Sequence, residues 1–341
     1  MNKIQRAIRF LRISGETLFA PSCYPEKKRK KLFSRIGDLV SWAIENHEPH
    51  AFYNIYGLDL VDSSPEQFLD YKTFTRGRNQ IEATDSQSWT DLRNKYQFYL
   101  HLKREGIPTP EVFAVIENGN VYDAEMHEVG WAYLEKQKDY FVKDIDGECG
   151  SFVEHVEGAN DLLRLKAKLM AGRYVVQRRL VQNPEMAAIY SGGINTYRIV
   201  TVYNNGQPYV LTSLLRIGTK RSGKVDNWAR GGLAIGIAEN GFLKDRAFYK
   251  PQYGSVAFCH PDDEQVVFAQ VKAPQFERAK QLACRAHESF PDVETIGWDV
   301  AISESGPAFI EGNDNWEISL MQAADRPLKE EWTNIITKKS V

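Results

Sequence analysis

The sequence predicts an α+β protein: two mixed subdomains facing each other across a cleft, behind a mostly helical N-terminal region. Three observations predict this. Helix and strand patterns alternate between residues 91 and 176. After Ile194 alternating β-formers dominate, with NNGQ as a hairpin turn between TYRIVTVYN and PYVLTSLLRIG. An amphipathic helix, PQFERAKQLACRAHESF, then leads into a last pair of strands, so antiparallel pairing follows the alternating part.

The elements follow in order. Residues 1–90 form the N-terminal region, helical up to the aromatic run AFYNIYGLDL, with a polar, turn-rich connection over 62–90. Residues 91–176 form the first subdomain. DLRNKYQFYLHLKREG is a helix with apolar Leu92, Tyr96, Tyr99 and Leu100, stopped by Gly106. IPTPEVFAVIENGNVYD gives a strand and turn, and YFVKDIDGECGSFVEHV reads as strand, glycine loop, strand. NDLLRLKAKLMAG is a helix capped by Asn160, and RYVVQRRL is a strand. Residues 177–341 form the second subdomain, strand-rich until the helix that precedes GWDVAISESGPAFIEGNDN.

Composition narrows the classes. The chain has 341 residues, 43% of them apolar and 26% charged, with a formal net charge of −2. That is the balance of a folded globular protein, and it offers no general basic field for nucleic acid. Four cysteines stand far apart with no metal spacing, which suggests a reducing, cytoplasmic setting. No run reaches the length of a membrane-spanning helix. The N-terminus, MNKIQRAIRFLRISGETLFA with EKKRKKLFSRIGDLVSWAI, is basic and partly apolar. It admits two readings: a solvated helix face, or peripheral contact with an anionic membrane surface at the inner face or with a lipid-linked substrate.

The residues that carry chemistry lie in five stretches. Asp299 sits inside one apolar run and Glu311 at the end of another, with Asn313 two residues on. Unpaired carboxylates beside apolar strands are costly, and a hard-oxygen set of this kind holds magnesium against nucleotide phosphates. Lys143 ends a strand before Gly147 and Gly150, where backbone N–H groups can approach phosphate. GECG is not the P-loop pattern, and no dinucleotide fingerprint occurs. VVQRRLVQNPEM is a strand exit whose free backbone groups could read a base edge. INTYRIVTV places Asn195 and Arg198 at a strand start, one facing the cleft and one bracing the loop. KRSGKVDNWARGG is a basic, glycine-rich loop holding Lys220, Arg221, Lys224 and Arg230, suited to an anion.

In this order the motifs resemble the ATP-grasp superfamily, nearest its sugar-transfer-associated branch, with a looser likeness to RimK-type glutamate ligases and D-alanine–D-alanine ligase. The likeness covers about residues 90–320. It implies an ATP-grasp fold clasping ATP and Mg2+. The lysines contacting ATP would be Lys95 and Lys143, with Gly147, Gly150 and Ser151 in the flexible loop. The hinge would be Gln177, where glutamate is common, with Leu180 giving a backbone contact and Glu185 holding ribose. Asn227 would belong to the loop before the metal strands. Asp299, Glu311 and Asn313 would ligate the metal, and Arg198, Arg230 and Asn195 would serve the reacting groups. The implied activity is a carboxylate–amine ligase acting through an acylphosphate on small-molecule carboxylate and amine substrates. The branch further implies joining an amino acid to a uronic-acid carboxyl of a cell-surface polysaccharide or its precursor, with a sugar or glycan acceptor. The alternatives are an ATP-grasp phosphotransferase acting on a hydroxyl and a non-catalytic nucleotide-binding protein.

Overall fold

The computed structural model describes residues 3–82, 84–147, 152–204, 206–223 and 226–339. The N-terminal region supplies α1 (Lys3–Phe19), α2 (Leu32–Asn46), α3 (Tyr71–Ile81) and α4 (Gln87–Arg93). The polar stretch 62–90, expected to be a connection, therefore contains α3 and the start of α4. Caps explain the difference. The Asp70 side chain accepts from the Thr73 N–H, and Ser86 accepts from the Trp89 N–H. Phe74, fully buried, then fixes α3 edge-on against Trp316 and beside Trp332. Two caps and one anchor outweigh a polar composition.

The helix expected from residue 91 to 106 breaks at Asn94. Its side chain accepts from the backbone N–H groups of Tyr96 and Gln97, so a new helix, α5 (Lys95–Arg104), begins at Lys95. Gly106, with φ of +64°, closes it as expected. There follow β1 (Val112–Glu117), β2 (Asn120–Asp123), α6 (Trp131–Glu135), β3 (Tyr140–Asp144), β4 (Val153–Val156), α7 (Ala159–Leu169) and β5 (Arg173–Arg178). The five strands form one antiparallel sheet in the order β2-β1-β5-β3-β4. The N-cap of α7 is Gly158, not Asn160; Asp161 in the first turn reaches back to accept from the Glu157 N–H. Leu162, Leu165 and Leu169 of α7 cover one sheet face through Tyr140, Val142 and Val176.

The second part contains α8 (Pro184–Ala187), β6 (Thr196–Asn204), β7 (Gln207–Ile217), β8 (Leu233–Ile237), β9 (Leu243–Tyr249) and β10 (Val256–Ala257). A small ribbon, β11 (Cys259–His260) with β12 (Asp263–Val267), precedes α9 (Phe276–Glu288), β13 (Thr295–Ser303), β14 (Gly306–Asn313), α10 (Ile318–Ala324) and α11 (Lys329–Lys339). Seven strands make an antiparallel sheet ordered β10-β9-β8-β7-β6-β13-β14. Its first face packs Ile199, Leu215, Ile235 and Trp298 against α9 and against Phe98 and Leu102 of α5. Its other face packs Val200, Val202, Leu214 and Ala234 under α10 and α11, together with Ile55, Leu69 and Phe74 of the N-terminal region. The N-terminal region is thus built into the core of the second sheet. Removing so much shared apolar surface from water is the dominant force joining them.

Candidate active site

Strand alternation builds the site from both sheets. On β3 and β5 the period that sends Val142 and Val176 into the core sends Phe141, Lys143 and Gln177 to the opposite face. They border a cavity of about 290 Å³ between the sheets. Across it, β6 changes character along one side. Val200 and Val202 lie under helices, whereas Thr196 and Arg198, on the same side of the strand, line the cavity.

The register of the second sheet aligns the charges. Arg198 stands opposite Asp299, Asp299 opposite Glu311, Gly297 opposite Asn313, and Thr196 opposite Arg216. Directly opposed residues on one face are within side-chain reach. Gly297 is required beside this row: a Cβ there would lie 2.6 Å from Cβ of Trp316 and 3.5 Å from Cδ of Arg198.

Arg198 donates from Nε to Oδ1 of Asp299 at 2.6 Å and from its terminal nitrogen to Oδ2 at 3.1 Å. Arg216 donates to Oδ2 of Asp299 at 2.9 Å and lies 3.3 Å from Oδ1 of Asp226. Thr196 donates its hydroxyl to Asp226 and accepts from Arg216. Burial pushes the Asp299 carboxyl upward, but Arg198 and Arg216 outweigh it and hold the group below the usual range. For Asp226 burial wins over Arg216, and its carboxyl lies above the usual range. Glu311 is also raised, by burial first, against the pull of Lys95 at 4.0 Å.

The lysines come from the first part. Lys95 opens α5 and donates from Nζ to the Gly147 carbonyl at 2.5 Å. Lys143 is pushed down to about 8, by burial first; Glu311 opposes that shift and Lys95 adds to it. A bound polyanion restores the charge on Lys143. We expect triphosphate affinity to be full below about pH 8 and to fall as pH rises further, since the free lysine loses its proton there while the bound one keeps it. Calorimetric titration across that range checks this; Lys143→Met should bind more weakly and lose the pH dependence, and a wild-type affinity flat through it would refute the assignment.

The residues fit a nucleotide and a hard cation. Phe141, Val153, Leu180 and Ile310 give the cavity apolar lining. Gln177 borders it, with Oε1 buried and lacking a hydrogen-bond partner among the described residues. An exocyclic amine of a base would satisfy that oxygen. Lys95, Lys143, Arg198 and Arg216 line the same cavity. Among the described residues no three acidic, histidine or cysteine side chains gather around a metal position. The available donors are instead two carboxylates and an amide, Asp299, Glu311 and Asn313, all lining the cavity. A cation would offset the burial cost of Glu311.

Not every expected residue lies here. Asn195 is fully buried just before β6 and does not line the cavity. It donates to the Met186 and Tyr190 carbonyls, and its Oδ1 accepts from the Gly218 N–H. It braces the loop and stands apart from the residues that line the cavity. Arg230 is exposed and outside the lining, as are Lys220 and Arg221; from that basic loop Asp226, Asn227, Trp228 and Ala229 border the cavity instead. Asn227 caps the short turn there, accepting from the Ala229 N–H. Glu185 is also exposed and outside the lining: on the one-turn helix α8 its neighbour Met186 is the residue driven into the core. Gly150, Ser151, Cys149 and Lys224 lie outside the described residues. Arg216, Asp226 and Thr196 were missed. Arg216 offers the same signal as Arg198, an arginine among β-formers, and Asp226 adjoins the loop asparagine, Asn227.

Two antiparallel sheets closing on a cavity with apolar lining, two lysines and carboxylate-bearing strands are the plan of an ATP-grasp protein. The chain belongs to the sugar-transfer associated ATP-grasp family, whose sequence profile matches residues 166–336. ATP and Mg2+ are the cofactors that go with that membership. The match covers the row from Thr196 to Asn313 and begins after Lys95 and Lys143. No curated protein matches the chain in sequence. Among solved structures it is similar to an L-amino acid ligase from Bacillus licheniformis, with 16% identity, a TM-score of 0.39 and coverage of 67% of this chain and 41% of that one. It is also similar to D-alanine–D-alanine ligase from Bacillus anthracis, with 15% identity, a TM-score of 0.44 and coverage of 74% and 68%. The chain spans less than half the length of the first of these.

Proposed function

We propose that the protein is an ATP-dependent ligase that joins a carboxylate to an amine. The observation that supports this most is the row Glu311–Asp299–Arg198, extended by Arg216, facing Lys95 and Lys143 across one cavity. Bound ATP with magnesium supplies the phosphoryl group that turns a substrate carboxylate into an acylphosphate.

Each residue has a part in this reading. Gln177 and the backbone at Leu180 select the base. Lys95 and Lys143 neutralise phosphate charge, and Glu311, Asp299 and Asn313 hold the cation. Arg198 and Arg216 are fixed in the sheet before substrate arrives, so no reorganisation is needed when negative charge develops beside them. An incoming neutral amine attacks the activated carbonyl, phosphate leaves with the oxygen, and one proton is released as the amide forms. Substrate burial between the sheets would keep water from taking the amine's place.

The family's association with sugar transfer supports a finer reading. The carboxylate would be a uronic acid of a cell-surface polysaccharide or its precursor, the amine an amino acid, and the site of action the cytoplasm. The test is to incubate the protein with ATP, magnesium, uronic-acid donors and amino acids. ADP release that requires both substrates, with a product lighter than their sum by one water, is the expected result. A stable product carrying an added phosphate would make it a phosphotransferase instead, and ADP release indifferent to any amine would exclude ligation.

A further inference from the structure

The two N-terminal helices leave a surface that the proposed ligase chemistry does not use. On α2 the buried side is led by Leu39, with Trp42 half-buried. The opposite side carries Phe33, Ile36, Val40 and Ile44, which are 85%, 37%, 52% and 69% exposed. Their spacing of three and four residues puts them on a single stripe. Gly37 lies within the stripe, and a Cβ built there meets nothing within 4 Å. On α1 a second stripe repeats the pattern: Ile8, Leu11 and Phe19 are 61%, 72% and 76% exposed, and Gly15 between them is equally open. Scattered exposed apolar residues are ordinary, but two periodic stripes on consecutive helices are not.

Charge says what the stripes meet. Residues 1–46 hold ten lysines and arginines against four acids, in a chain whose net charge is −2. The rest of the protein is therefore acidic, and the positive charge is concentrated where the apolar side chains are exposed. Arg9, Arg12, Lys27, Lys28 and Lys31 are themselves exposed. Their neighbours Arg29 and Lys30 are committed to Asp59 and Asp38, and Arg35 donates to the Leu18 carbonyl, so part of the basic cluster shapes the region and part faces outward. No helix among the described residues is long and apolar enough to cross a membrane.

We propose that α1 and α2 form a peripheral docking face for an anionic lipid bilayer, with the apolar stripes entering the headgroup boundary and the outward lysines and arginines meeting lipid phosphates. Shallow insertion of a few large side chains gives weak, reversible binding, and the cationic residues add to it. Such a face would hold the protein beside lipid-borne substrates without spanning the membrane. This goes beyond the ligase reading and stands without it, because vesicle binding requires no nucleotide.

The experiment is sedimentation of the whole protein with phosphatidylcholine vesicles, with and without phosphatidylglycerol. Binding to the anionic vesicles should exceed binding to neutral ones by about tenfold and weaken in high salt. Phe33→Asp with Ile44→Asp should reduce it at least about tenfold, and neutralising Lys27, Lys28 and Lys31 as glutamines should do the same. These side chains are exposed, so thermal melting of the variants should match the parent. Absence of anionic-vesicle binding, or binding that the aspartate pair leaves unchanged, overturns the proposal. So does light scattering that shows a dimer which the aspartate pair splits, because the stripes would then be covered by a second copy.

Discussion

Glu311→Gln is expected to lower ATP-dependent turnover by about a thousandfold with the fold retained. The substitution preserves shape and removes only charge, and among the described residues the side chain has no short hydrogen bond whose loss would unfold the strand; its ion-pair neighbour is Lys95 at 4.0 Å. What is lost is the hard anionic oxygen. Cation-based charge stabilisation is worth several kcal/mol, and each 1.4 kcal/mol is a factor of ten. Burial already raises Glu311 above the ordinary carboxyl range, so removing its charge relieves a folding cost. Stability should therefore be equal or slightly higher while activity collapses. That opposite movement separates a functional carboxylate from a structural one. ADP release and thermal melting measured together check it; turnover within about tenfold of the parent would refute the metal assignment.

The parts of this site that were legible in the sequence were those written in short-range pattern. Asp299 and Glu311 interrupt apolar strand runs joined by a tight turn, so their place on adjacent strands β13 and β14 followed from the hairpin, whereas their direct opposition needs the register shift between Asp299 and Val300. Lys143 ends a strand in the same way, and Gly106 marks a helix end. The parts that were not legible depend on pairing between distant segments. Arg216 meets Asp299 across 83 positions of sequence because β7, β6 and β13 lie side by side, and nothing within β7 itself announces that order. Glu185 and Asn195 fall outside the cavity lining for a related reason. Their neighbourhoods resembled functional motifs, but Met186 and the loop carbonyls, buried by tertiary packing, decide which way those backbone segments face. Similarly, α3 is hidden by a polar composition and revealed by the tryptophans it packs on.

Arg216→Met tests the part that sequence reasoning missed, and its largest effect should be on folding. Arg216, Asp226 and Asp299 are all buried or nearly so, and breaking a buried charge cluster by removing one partner costs about 3–5 kcal/mol. Asp299 keeps Arg198 after the substitution. Among the described residues Asp226 then keeps the Thr196 hydroxyl and backbone N–H but no cation in contact, so its charge is the one left uncompensated. The single variant should then lose roughly 3 kcal/mol, and Arg216→Met with Asp226→Asn should recover more than about 1 kcal/mol of that, a coupling expected only of groups in one network. Turnover distinguishes the second role. If Arg216 also faces the reacting groups, the double variant should be stable but remain slow by about two orders of magnitude, as loss of one preorganised donor predicts. Denaturant unfolding of both variants against Asp226→Asn alone gives the cycle. Additive stability losses would break the network, and recovered turnover in the double variant would confine Arg216 to holding the strands together.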